Sequence, residues 1–398
     1  MFSLAFVNLI YLSAHYPPHF ESFPVELAKY GARVWAVTDL PTKYLSPQLK
    51  SCLAGNLEVD SLHNERAVLS LCQRLQEQVG PIQFVESNLE TWLDLEALLR
   101  EKLSVPGLKP QDLQRFKQKR LMKEVFQTAG ILVAPGLRTK NPLEAIEFCK
   151  GIGFPVILKP NIGVGAQNTY LIQSEQELLL RLNNSDPNSE FFLEKYIQGT
   201  IESFDGFCDH GGNVVYYTCH TQSAGVREIV QEKRDFYIYS MIHPPKDLVE
   251  AGFLATKAFG VRAKFFHIEF FRTPNNQLIG LEINLRPPGG RMVDMMNFGS
   301  NIDCYRAWAC TLLHNRFPYA YERQFHTMHI SRREEITYRH NIPTALKQFR
   351  DLILTHGELD SASAMAMGKE FVLARSPNLK DLFSLQQFLQ AQTGYATA

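Results

Sequence analysis

Two adjacent extended segments, residues 264–272 and 277–284, joined by the turn Thr273-Pro-Asn-Asn276, constrain this chain most. Alternate residues of a strand share a face, so Glu282, Asn284 and the following Arg286 stand on one side. An antiparallel partner strand places Glu269 opposite them. Two carboxylates and an amide oxygen make the donor set that Mg²⁺ prefers: a few hard oxygens, with phosphate oxygens and water completing the shell. Solvent-facing glutamates on a sheet are ordinary. These, however, alternate with Ile268, Phe270, Leu281 and Ile283 and lie next to His267, which is the pattern of a covered sheet with a polar centre.

The next stretch, Arg286-Pro-Pro-Gly-Gly-Arg291, forms a non-helical loop with a cation at each end. Arg286, beside the metal donors, suits a transferring phosphoryl group or an oxyanion, and Arg291 suits a substrate carboxylate gripped by two parallel hydrogen bonds. Upstream, Ile157-Leu-Lys159 closes a buried strand and opens into a loop bearing Gly163 and Gly165. A lysine beside a glycine loop fits nucleotide phosphates, although the GxxxxGK[ST] spacing of a P-loop is absent. The extended run Leu193-Glu194-Lys195-Tyr196-Ile197 offers backbone groups to an adenine edge, with Ile197 against the ring and Glu202 within reach of ribose hydroxyls.

The first hundred residues alternate strand signals (2–9, 33–39, 56–62, 81–86) with helical ones (22–30, 65–78, 90–102), which predicts a parallel α/β layer. A single helix is expected over 113–128 and a hairpin turning at His210-Gly-Gly-Asn213. At 398 residues the chain exceeds one ordinary core. The divisions expected are an N-terminal α/β domain over 1–106, a middle domain over 107–317 and a C-terminal α+β portion over 318–398. Within the middle domain a lid spans about 119–199 and a metal-bearing core sheet about 200–317.

Lysine plus arginine (41) equals aspartate plus glutamate (41), so no net field favours nucleic acid or an anionic membrane, and the partner is a small molecule. Seven cysteines without a CxxC pair read as reduced thiols in a reducing, cytoplasmic compartment. The apolar opening lacks a basic flank and runs at once into Ser13, His15 and Pro17-Pro18, as a buried strand and turn would. No apolar run is long enough to span a bilayer.

In order along the chain come Gln118-Lys119, Lys159-Pro with its glycines, Glu194-x-Tyr-Ile-x-Gly199 with Glu202, His267-x-Glu269, and Glu282-x-Asn284-x-Arg286. This series resembles the ATP-grasp superfamily over roughly residues 1–315. The resemblance implies ATP and Mg²⁺ (Mn²⁺ as an alternate), a carboxylate activated as an acylphosphate, and capture of that anhydride by an amine. By position, Lys119 and Lys159 would meet the phosphates, Glu194 and Ile197 the adenine, and Glu202 the ribose. Glu269 and Glu282 would bridge metal ions with help from Asn284, and Arg286 would cover the transferred group.

The His267-x-Glu269 strand and the run Glu282-x-Asn284-x-Arg286-x-x-Gly289-Gly290 are most similar to L-amino-acid ligases that make dipeptides; carboxylases of the biotin type and purine-pathway ligases share the metal strand. His267, Arg286 and Arg291 are the catalytic candidates, with His220 and Arg227 as further substrate candidates. A homodimer is the assembly entertained. A non-catalytic nucleotide-binding protein is the reading from another class. The chain departs from the family in having Gln118 where an aspartate is common, and Ala166-Gln-Asn168 where the loop usually keeps a serine and another glycine.

Overall fold

The computed structural model describes residues 7–161, 168–184, 190–223, 225 and 234–393. The early alternation becomes a four-stranded parallel sheet of β1 (Val7–Leu12), β2 (Ala32–Thr38), β3 (Gly55–Glu58) and β4 (Phe84–Glu86), in the order β3-β2-β1-β4. Helix Glu65–Val79 buries Val68, Cys72 and Leu75 against it, at the four- and three-residue spacing of one helix face. Asn64 caps its start by accepting from the Ala67 N–H, and Gly80 ends it at φ +85°.

The helix expected over 113–128 is two helices, Gln114–Lys117 and Lys119–Thr128, broken at Gln118. The break has a physical reason. The Lys119 N–H donates to Asn161 O at 3.3 Å, tying the start of the second helix to the end of a strand in another sheet. That second sheet comprises β5 (Gly136–Thr139), β6 (Val156–Pro160), β7 (Tyr170–Ile172) and β8 (Phe191–Lys195), antiparallel in the order β5-β8-β6-β7. Helices Pro142–Ile152 and Glu175–Asn183 cover it around a small core that includes Ala145, Cys149, Leu158 and Leu178.

The third sheet has eight strands: β9 (Thr200–Cys208), β10 (Val214–Gln222), β11 (Tyr237–Ser240), β12 (Phe265–Arg272), β13 (Leu278–Asn284), β14 (His326–Arg332), β15 (Ile353–Glu358) and β16 (Glu370–Ser376). Its order is β13-β12-β9-β10-β11-β14-β16-β15. The hairpin expected at 210–213 is β9–β10, and the one expected at 273–276 is β12–β13. Strands β14 to β16 extend this same sheet, so the region beyond 318 is hydrogen-bonded into the core rather than appended to it. β9 lies between β10 and β12, and a Cβ at Gly206 would sit 2.1 Å from Tyr216 O, so that position admits only glycine.

The parallel and the eight-stranded sheets are joined by a buried ionic cluster. Lys264, just before β12, reaches Glu86 at 2.8 Å and Glu96 at 2.7 Å, while Arg100 reaches the same carboxylates at 3.0 and 2.8 Å. Among the described residues no helix is long and apolar enough to cross a membrane. All seven cysteines are free thiols.

Candidate functional site

A cavity lies between the β6–β8 layer and the β12–β13 edge of the large sheet. One part of its wall is apolar, formed by Ala134, Ile157, Ile197, Ile201, Phe271 and Ile279. The rest is charged: Lys119, Lys123 and Lys159 face Glu194, Glu269 and Glu282. An apolar slot that runs into a lysine cluster accepts a flat ring at one end and phosphate at the other.

The charged end is built by strand register. Glu269 on β12 pairs directly with Glu282 on β13, and His267 with Asn284. The same ladder continues inward, Glu269 to Ser203 on β9 and Ser203 to His220 on β10. The neighbouring rank runs Asn284, His267, Asp205, Thr218. Directly paired residues share a face, so one sheet face carries two adjacent polar ranks, one beginning at the carboxylate pair and the other at Asn284.

Burial opposes the ionised form of Glu282, yet Lys119 and Lys159 hold its carboxyl below the usual range. Asn284 Nδ2 donates to Glu282 Oε1 at 3.3 Å. Burial in turn pulls Lys119 down, against the attraction of Glu282. Glu194 is clasped between Lys159 and Lys123, the latter at 2.9 Å. Burial alone would raise its carboxyl, but the two lysines prevail and lower it to about 2. A carboxylate depressed on folding adds stability that is present above its unfolded value, near 4.5, and is lost as pH falls through 2. The stability margin of the wild type over Glu194→Gln, measured by thermal denaturation, therefore narrows as pH drops from 4.5 to 2. A margin independent of pH across that window would remove the ion pairs from the account.

His267 is not free to meet a substrate. Its Nδ1 is bonded to Asp205, and its Nε2 lies 3.3 Å from Glu269 Oε1. Burial would lower its imidazole, but the two carboxylates raise it to about 10, so it is a cation filling the space between them. Asp205, wholly buried, also accepts from His220 Nδ1 at 2.7 Å and Ser203 Oγ at 2.5 Å. Burial pushes its carboxyl up, but His267 and His220 outweigh burial and hold it far below the usual range.

The cavity thus brings together Lys119, Lys159, Glu194, Ile197, Glu269 and Glu282 of the residues expected from sequence. Glu202 is elsewhere. Arg272 donates to its Oε2 from Nε at 3.1 Å and Nη2 at 2.9 Å, and its neighbour Ile201 lines the cavity in its stead, because consecutive strand residues face opposite ways. Arg286 lies outside the lining, with Nε 3.3 Å from Glu90 Oε2 of the N-terminal layer. Arg291 bonds Asp294 at 3.1 Å and rests over the Phe371 ring, also apart from the cavity. Gly163, Gly165 and Arg227 lie outside the described residues.

Residues 152–294 match the family model of the ATP-grasp domain. Over nearly the whole chain, the L-amino acid ligase from Bacillus licheniformis superposes with a TM-score of 0.74 at 14% identity, covering 96% of each chain. The chain has the ATP-grasp fold. Among curated relatives, the C-terminal section of the carbamoyl phosphate synthase large chain of Methanopyrus kandleri is 26% identical over 175 residues, 42% of this chain and 32% of that protein. The L-arginine-specific L-amino acid ligase of Bacillus subtilis is 24% identical over 241 residues, 58% of this chain and 57% of that protein. The chain spans less than two thirds of either.

Within this ATP-grasp frame, sequence reasoning passed over Lys123, Asp205, Gln222 and Glu90. Lys123 carried a signal, since it stands four residues after Lys119 on one helix face. The other three are brought in by pairings between distant strands and layers.

Proposed function

We propose that this chain is an ADP-forming, ATP-dependent carboxylate–amine ligase, with Mg²⁺ or Mn²⁺ held by Glu269, Glu282 and Asn284. The observation that carries the reading is the direct pairing of Glu269 with Glu282 in a cavity whose other face holds Lys119, Lys123 and Lys159. The donor set fits magnesium: two carboxylates and one amide oxygen, few enough to leave positions for phosphate and water. Among the described residues no group of three or more His, Cys, Asp and Glu side chains is placed to hold a metal ion by itself, so a cation here would depend on phosphate oxygens and water for its remaining positions. Bound there, the cation would neutralise charge on the β- and γ-phosphates.

The lysines hold the phosphates while the wall of Ile157, Ile197, Ile201, Phe271 and Ile279 takes the adenine. A substrate carboxylate oxygen attacks the γ-phosphorus, and the bond to the bridging oxygen breaks with ADP as the leaving group. An amine then attacks the acyl carbon, and phosphate departs. Arg286, hinged between Glu90 and Pro287 O, stands one step beyond the carboxylate strand, where its guanidinium can swing onto the transferred group or the tetrahedral oxyanion. The layer bearing β6 and β8 acts as the lid that excludes water from the anhydride.

The likeness to two L-amino acid ligases supports a pair of L-amino acids as substrates, and the seven free thiols are in keeping with a reducing, cytoplasmic setting. Phosphate release from ATP across a panel of single and paired amino acids tests this. Release that needs particular pairs is the expected result. Release with bicarbonate or a nucleotide precursor instead would assign another acid, and no release with any of these compounds would reduce the chain to a nucleotide binder. Arg291, which directly follows Gly289-Gly290, is assigned to a substrate carboxylate. Arg291→Ala should raise the substrate KM by roughly tenfold to a hundredfold, the worth of a hydrogen bond to a charged group, with a smaller fall in kcat. The opposite split, kcat falling with KM unchanged, would move Arg291 into the chemistry.

A further inference from the structure

We infer that Gln222 is a positioning residue that sets which oxygen of Glu269 meets the metal, an inference that rests on the ligase reading of this site. Gln222 lies on a third rank of the sheet, between Ile201 on β9 and Ile238 on β11. Ile279 pairs with Phe271, Phe271 with Ile201, and Ile201 with Gln222, and the first three line the cavity. From β10 its side chain reaches past β9 to β12, where Nε2 donates to Glu269 Oε1 at 2.9 Å. Both groups are about 94% buried, with relative exposures of 6% each, so the bond is shielded from competing water.

His267 Nε2 approaches the same oxygen, at 3.3 Å. Among the described residues both neighbours of the Glu269 carboxylate therefore fall on Oε1, and Oε2 is the oxygen left for the cavity that Glu269 lines. The chemistry of the donor matters. A lysine or arginine at 222 would neutralise the carboxylate and compete with a cation, whereas an amide fixes its direction and leaves its charge in place. A carboxylate tied at one oxygen gives a single ligand at short range, as octahedral Mg²⁺ and Mn²⁺ require, and disfavours the two-oxygen grip that larger Ca²⁺ accepts.

The test is Mn²⁺ binding to the full-length protein with ADP present, followed by the paramagnetic resonance of free Mn²⁺, with Ca²⁺ as competitor. Gln222→Met keeps the volume and removes the donor; Gln222→Asn keeps the amide but is too short to reach. Either variant should bind Mn²⁺ roughly tenfold more weakly, the usual loss when a ligand's supporting partner is removed, and let Ca²⁺ compete at lower relative concentration. In turnover the KM for metal should rise more than kcat falls. Thermal melting without metal identifies a variant that fails to fold, and the other then decides. Mn²⁺ affinity within about twofold of wild type in a folded variant, with unchanged Ca²⁺ competition, overturns the role of Gln222. A wild type that binds no Mn²⁺, or binding untouched by Glu282→Gln, overturns the ligase reading itself.

Discussion

Glu282→Gln lowers kcat on the order of a thousandfold, the scale of losing one group fixed against developing charge, and weakens Mg-ATP binding while the apo protein melts as before. The substitution keeps the side chain's shape and its partner Asn284 but deletes half of the paired carboxylate charge. Lys119 and Lys159, whose positive field holds Glu282 ionised, keep Glu194 beside them, and Lys119 also keeps Glu90. The phosphates gain no compensating attraction, because the missing ligand is one that a cation shares with them. Steady-state turnover with the best amino acid pair, nucleotide binding by calorimetry and a melting curve suffice to check it. Turnover near the wild-type rate would show that the pair does not hold the metal.

The carboxylate pair was legible because its geometry is local. Two strands joined by a short turn have few registers open to them, and a two-residue period fixes the face. Even so, the irregularity between Glu269 and Phe270, which brings Phe270 opposite Gly280, left no mark in the residue pattern. Lys159 and Glu194 were each recognisable at a strand end, but their ion pair depends on β6 lying beside β8. Asp205 was invisible for a plainer reason. Its partner His267 is 62 residues away, and an isolated aspartate on a predicted hairpin reads as solvent-facing until β9 is known to lie between β10 and β12. Glu202 was misplaced by the same logic in reverse. Its position after Gly199 suggested the cavity, and only the pairing to β12 shows that Arg272 holds it on the other side. Contacts within one supersecondary unit follow from sequence pattern; contacts among sheets need the fold.

Lys264→Met is the second large effect expected, and it acts on stability rather than on the chemistry. Lys264 is 3% exposed, Glu86 3%, Glu96 0% and Arg100 4%, so two cations and two anions are enclosed together where the N-terminal layer meets the start of β12. Burial opposes the charge on Glu96, and Lys264 and Arg100 together keep its carboxyl ionised below the usual range. Methionine fills the space of the lysine stem but leaves two buried carboxylates with one guanidinium between them. Removing one partner of a buried ionic group costs about 3–5 kcal/mol, since the remaining charge must stay desolvated or take up a proton. The midpoint of urea unfolding should fall accordingly. Glu86→Gln in the same chain removes the surplus anion, so the double variant should recover a good part of the loss, a coupling that two independent packing defects would not show. β12 begins at Phe265 and carries Glu269 four residues on, so metal affinity in the folded Lys264→Met protein reports whether the cluster also sets the strand's position. An unfolding midpoint unchanged by Lys264→Met would mean that water already reaches these charges and that the two layers are held by their apolar cores alone.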